Sequence, residues 1–178
     1  MTANSDVFIC YSGHGAPDIK TKSPYLIPYD IDPNYASTGF PLDKLYKNLH
    51  NLKAKSVTVI LDACFSGQSR EEEMMLADAR PVGIRIESPL AYGDITVFAA
   101  ASGREISSGY PEQRHGLFSY FFLKGLKGIA DADRNRAITV GELFSYVRTN
   151  VPRLAGQMDR EQTPQLLGRD KRRVLVEY

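Results

Sequence analysis

The chain has 178 residues, 43% of them apolar and 24% charged, with a formal net charge of +1 and only two cysteines. That length suits one domain with a sizeable core. The charge argues against a general nucleic-acid binder, two cysteines exclude a disulfide framework, and no apolar run reaches membrane-spanning length. The expectation is a cytoplasmic protein with neither nucleic acid nor membrane as a partner. Met1 to Asp6 is polar and reads as a frayed start. Val7-Phe8-Ile9-Cys10-Tyr11 is an apolar run that reads as a strand, with Cys10 as a buried, inert thiol. Ser12-Gly13-His14-Gly15 follows directly, then a polar loop from Ala16 to Lys22. Ser23 to Asp32 contains Pro24 and Pro28, which predicts an extended edge segment. Pro41 suits the first turn of a helix in which Leu42, Leu45, Tyr46 and Leu49 keep helical spacing. His50 lies near its end, where a cation suits the dipole, and reads as a surface residue.

The next stretch organises the chain. Val57-Thr58-Val59-Ile60-Leu61 is β-branched and apolar, and it reads as a strand buried on both faces. Asp62-Ala63-Cys64 follows, then a turn through Ser66 and Gly67. Open α/β sheets bind ligands at the carboxyl ends of their strands, where both Cys64 and His14 fall. Two parallel neighbouring strands would bring the two together. A thiol is a strong nucleophile as thiolate, and an imidazole can take its proton. Glycines around His14 allow close backbone approach and leave N–H groups able to face a substrate oxygen.

YSGHG and DACFSG, with His14 preceding Cys64 by 50 positions, resemble the caspase-like cysteine peptidases, most closely the bacterial metacaspase (orthocaspase) branch. The resemblance implies an α/β fold, a mostly parallel sheet with flanking helices in three layers, over a caspase-like peptidase domain spanning residues 1–178. It also implies that the first two strands of the family's domain are missing ahead of Val7. It implies a cysteine endopeptidase with His14 and Cys64 as catalytic dyad, and backbone N–H groups of Gly15 and Cys64 as oxyanion donors. It implies substrates cleaved after Arg or Lys, with Asp62, two before the nucleophile, and Ser12, two before the histidine, lining the first pocket. The competing reading of Asp62 is a turn-capping carboxylate. No cofactor is required for this chemistry; the resemblance adds calcium activation, with Asp30 and Asp32 as nearby acidic residues.

Gln68 to Gly93 is charged and carries prolines, which predicts a mobile loop; Arg70 and Arg85 are its candidate self-cleavage sites. Asp94 to Ala101 is the third strand, followed by a Gly/Ser/Glu-rich loop to His115. Leu117, Phe118, Phe121, Phe122 and Leu126 predict an amphipathic helix loosened at Gly125 and Gly128. His115 lacks a strand-end context, which favours His14 as the base. Asp131, Asp133, Asn135 and Glu142 match positions 1, 3, 5 and 12 of an EF-hand loop, but Arg136 stands where that loop needs glycine. Thr139 and Glu142 equally form a T-x-x-E capping box, the preferred reading. Asn150 and Pro152 are expected to end that helix, and Arg153 to Gln162 to form a polar segment. Gln162-Thr163-Pro164 resembles the family's element before the last strand, Arg173 to Glu177. A second function class is a caspase-fold interaction module without turnover, or a fragment that needs a complementing N-terminal chain. Either agrees with self-association through an exposed Val7–Tyr11 edge.

Overall fold

The computed structural model describes residues 3–18, 20–65, 95–103 and 105–178. Its central sheet has four strands in the order β1 (Asp6–Ser12), β5 (Ser56–Asp62), β6 (Ile95–Ala99), β10 (Gln165–Leu167). The first three run parallel, and β10 runs antiparallel to β6. The sheet is the mostly parallel one expected. A smaller antiparallel sheet, β2 (His14–Pro17), β3 (Pro24–Ile27) and β4 (Phe40–Pro41), stands beside it. Two ribbons complete the strands among the described residues: β7 (Gly109–Tyr110) with β8 (His115–Gly116), and β9 (Ala137–Thr139) with β11 (Val174–Glu177).

Among the described residues three α-helices flank the central sheet: α1 (Leu42–His50), α2 (Leu117–Lys124) and α3 (Val140–Gln157). Side chains alternate across a strand, and β5 shows both faces in use. Val57, Val59 and Leu61 join one apolar cluster with Leu42, Tyr46 and Leu49 of α1. Ile60 joins a second cluster with Phe98 and with Phe118, Phe122, Leu143 and Val147 of α2 and α3. Every residue of β5 is buried, as expected of a parallel strand covered on both sides. The last turn of α2 widens into a π turn at Gly125–Ile129, with Gly128 at φ 108, so the expected loosening falls on the residue that best tolerates it. Among the described residues, no helix is long and apolar enough to cross a membrane.

Five expectations need correction. Cys10 is exposed. Val7, Ile9 and Tyr11 turn toward the α1 layer, whereas Phe8, 48% exposed, and Cys10 turn to the other side. There the cluster built on α2 and α3 contains no residue of β1. Segment Ser23–Asp32 is not an edge: β3 is the middle strand of its sheet, and its prolines are tolerated because Pro24 sits at the ladder's end opposite Pro17. The third strand is shorter, Ile95–Ala99, although Ala100 and Ala101 stay buried. Pro152 does not end α3, which runs to Gln157. Proline forfeits one backbone bond there, while Val151 and Ala155 on either side are wholly buried, so packing outweighs the loss. Finally, the strand after Gln162-Thr163-Pro164 is β10, and the C-terminal strand pairs with β9 outside the central sheet. Arg173 nevertheless ties that terminus to β5, donating to Ser56 Oγ (2.9 Å) and Thr58 Oγ1 (2.7 Å). The loop from Gln68 to Gly93, with Arg70 and Arg85, lies outside the described residues.

Phe98 is fully buried between β6 and α2, its ring edge-on to Phe122 at 5.2 Å. Phe98→Ala is expected to cost about 3–5 kcal/mol in denaturant unfolding. Tyr46 differs: its hydroxyl is buried without a partner among the described residues, and burial pushes its pKa up. Tyr46→Phe should leave stability unchanged or raise it by about 1 kcal/mol.

Candidate active site

The site begins with strand register. β1 pairs with β5 in parallel, Tyr11 against Leu61 and Ser12 against Asp62. The backbone N–H of Gly13 donates to Asp62 O at 3.2 Å, extending the pairing past the strand end. His14 and Cys64 each stand two residues beyond that last pair, at the carboxyl end of the sheet. Their backbones meet: a Cβ on Gly15 would lie 2.7 Å from Cys64 O and 2.5 Å from the Phe65 ring. Only glycine lets the two segments approach so closely. The His14 side chain is exposed, whereas Cys64 is 2% exposed.

Tyr11 was not singled out by sequence, yet it sets the histidine segment. Its hydroxyl reaches His14 O (2.7 Å) and Ile27 O (3.0 Å). It passes under Gly13, where a Cβ would meet the tyrosine oxygen at 2.9 Å. The turn from β1 into β2 is therefore braced by a side chain whose ring needs the glycine before the histidine.

Asp62 is buried, 1% exposed. Its Oδ1 accepts from Ser107 Oγ at 2.5 Å, and its Oδ2 accepts from Ser119 Oγ (2.5 Å) and Ser119 N (3.3 Å). Helix α2 has Gly116 at its N-cap, with no side chain to cap it. The β5 carboxylate supplies that cap from another element and sits at the positive end of the helix. A cleft of about 510 Å³ opens in front of Asp62, lined among the described residues by Ser12, Gly116, Ser119, Tyr110, Arg114 and His115, with others. Ser12 and the Asp62 environment are thus brought together, and His115 stands on the same cleft wall.

A family model described as the caspase domain matches residues 1–175. The chain belongs to that caspase family of cysteine peptidases. Among solved structures, a crystal structure of protein GSU0716 from Geobacter sulfurreducens matches with TM-score 0.58 and 14% identity, covering 99% of this chain and 74% of that one. At that identity the likeness is one of fold. Comparison with curated proteins gives no match.

Two loops of the caspase domain support this end of the sheet. Glu105 accepts from Ser102 N (3.0 Å), Thr163 N (2.6 Å) and Thr163 Oγ1 (2.9 Å). Gln162, fully buried, donates to Ala100 O (3.0 Å) and accepts from Ser108 N (2.8 Å). The Gln-Thr-Pro element therefore staples the loop that presents Ser107 to Asp62. Nothing in a single sequence pairs Glu105 with a threonine 58 positions away.

The three-carboxylate loop lies elsewhere, between α2 and α3. Asp131, Asp133 and Glu142 place ligand oxygens within 4.8 Å of one another. The absent glycine does not spoil the turn: Arg136 takes φ 65, and its N–H donates to Asp131 Oδ2 at 3.0 Å. Asn135 donates its backbone N–H to Asp131 Oδ1 and Asp133 Oδ1 and its side-chain amide to Asp133 Oδ2. The Tyr178 hydroxyl adds a bond to Asp131 Oδ2 at 2.9 Å. Burial pushes the Asp131 pKa up, but the bonds from Tyr178, Arg136 and Asn135 outweigh it and hold the group low. Glu142 accepts from Thr139 N (2.9 Å) and completes the expected capping box. These hydrogen bonds tie the loop together and join it to the start of α3. Asp30 and Asp32 are exposed in the loop after β3.

The bonds from Thr139 hold the Glu142 carboxyl below its ordinary value of 4.5. A depressed acid stabilises the fold above its unfolded pKa and loses that contribution as pH falls through the folded one. Glu142→Gln should therefore melt below the parent at neutral pH, and the gap should close as pH drops under about 4.5. A gap independent of pH would contradict the capping role.

Proposed function

We propose that this caspase-domain protein is a cysteine endopeptidase in which Cys64 is the nucleophile, His14 its proton carrier, and Arg or Lys the residue before the cleaved bond. The observation that carries the reading is the β1–β5 register, which sets the Gly-flanked histidine backbone against the Cys64 carbonyl. In the proposed reaction His14 takes the thiol proton and Sγ attacks the scissile carbonyl carbon. The oxyanion is held by N–H groups of Gly15 and Cys64, a type of contact worth about 3 kcal/mol per donor. Collapse breaks the C–N bond, and His14 hands its proton to the departing amine. Water, activated by the same imidazole, then hydrolyses the thioester and returns the thiol. The dyad needs no cofactor.

Basic specificity draws on the charge behind the cleft. Asp62 lies under a wall formed partly by Ser12 and Ser119, at the strand end that carries Cys64. The same carboxylate caps α2, so Asp62 serves packing as well as recognition in this reading. Arg114 on the same wall is a positive charge that the Asp62 carboxylate has to outweigh for a basic residue to enter.

A second reading, an interaction module without turnover, draws on the edge position of β1 among the described residues and on its exposed Phe8 and Cys10. Concentration-dependent light scattering together with absent peptide hydrolysis would favour it.

Cys64→Ala should abolish hydrolysis of peptides carrying Arg or Lys before the cleaved bond. His14→Ala should lower kcat by about 10²–10⁴. Hydrolysis retained by purified Cys64→Ala would overturn the assignment.

A further inference from the structure

We propose that Tyr11 is a positioning residue for the proposed reaction: its hydroxyl fixes the plane of the peptide unit between His14 and Gly15, and so aims the Gly15 N–H that would hold the oxyanion. The inference rests on the proposed function and names what sets its oxyanion donor. The register of β2 with β3 decides which way that N–H points. Pro17 lies opposite Pro24, and neither has an N–H, so the two exchange no backbone bond. Just outside them the Asp18 N–H donates to Ser23 O at 2.9 Å, as an unbonded pair requires. Bonded and unbonded pairs alternate along an antiparallel ladder. Ala16 is therefore bonded to Tyr25, Gly15 is not bonded to Leu26, and His14 is bonded to Ile27. The Gly15 N–H thus points away from β3. Among the described residues β2 is an outer strand of its sheet, so this N–H falls outside the ladder.

The same peptide unit carries the His14 carbonyl, which points the opposite way because the bond is trans. On that side the Tyr11 hydroxyl meets His14 O at 2.7 Å and Ile27 O at 3.0 Å. One hydroxyl hydrogen serves both acceptors, and the shorter contact is to His14. These are the carbonyls of the terminal ladder pair, where pairing frays first, and the glycines on both sides of His14 leave the backbone free to turn. The hydroxyl closes that end. A donor on a carbonyl also polarises its amide, which makes the N–H of the same unit a stronger donor. Gly15 is buried, where such polarisation counts for more than in water. Gly13 makes room for the contact, since a Cβ there would sit 2.9 Å from the Tyr11 oxygen. The His14 imidazole hangs from Cα through rotatable bonds, so the hydroxyl governs the peptide plane and not the base.

Tyr11→Phe keeps the ring and removes only the oxygen. On a peptide with arginine before the cleaved bond it should lower kcat about tenfold and leave KM within about twofold of the parent. That loss is part of the roughly 10²–10³ that a whole oxyanion donor contributes. Iodoacetamide separates this effect from damage to the dyad. Its alkylation of a thiolate displaces iodide and forms no oxyanion, so the rate at which it labels Cys64, followed by mass spectrometry of the Cys64 peptide, should be unchanged in Tyr11→Phe. Gly13→Ala, whose Cβ would push the hydroxyl aside, should reproduce the kcat loss and add little to it in the double variant. It carries the test if Tyr11→Phe does not fold. An unchanged kcat, losses that add fully in the double variant, or Cys64 alkylation slowed as much as kcat would overturn the positioning role alone. Failure of the parent protein to hydrolyse the arginine peptide in a Cys64-dependent way would overturn the proposed function and this role with it.

Discussion

The parallel pairing of β1 with β5 is the constraint from which the rest follows. Because the two strands stay in register up to Ser12 and Asp62, the segments that leave them emerge side by side. One carries His14 and the other Cys64. The Gly13 N–H bond to Asp62 O prolongs the pairing by one residue, and Gly15 removes the side chain that would hold the segments apart. A slip of one residue would turn every β1 side chain to the other face. It would carry Val7, Ile9 and Tyr11 out of the α1 layer, and Tyr11 could no longer brace the turn at His14.

The second consequence of that register is the placement of Asp62. A carboxylate at a buried strand end needs partners, and the chain provides them from two distant segments, Ser107 and Ser119. In return it caps a helix whose N-cap residue is glycine. The arrangement binds β5, the loop after β6 and the start of α2 into one polar node, with Gln162 and Glu105 holding the loop from behind. Removing the Asp62 carboxylate would take an acceptor from the buried Ser107 hydroxyl, the half-buried Ser119 hydroxyl and the Ser119 N–H. Its substitution thus tests stability as much as recognition.

Sequence legibility followed the locality of the cause. The buried run from Val57 to Leu61 was legible because a β-branched apolar stretch of that length has few alternatives. The Thr139–Glu142 capping box was legible because its bonds span three residues. What escaped depends on neighbours far along the chain. Cys10 sits in a pattern that reads as core, but its exposure is decided by which strands α2 and α3 cover. Pro152 reads as a helix stop until Val151 and Ala155 are seen locked into the core. The strand Gln165–Leu167 is three residues long and finds its identity only against β6. Ser107 and Ser119 lie 45 and 57 positions from Asp62, so no local pattern could join them to it.

The proposed nucleophile is Cys64 and not the more accessible Cys10. A peptidyl chloromethyl ketone with arginine at its reactive end separates them, because an unactivated pair of thiols should react in order of exposure. Digestion and mass spectrometry of the labelled protein should place one equivalent on Cys64, with labelling strongly slowed in His14→Ala. Labelling of Cys10 in preference, or a Cys64 rate indifferent to His14, would contradict the account.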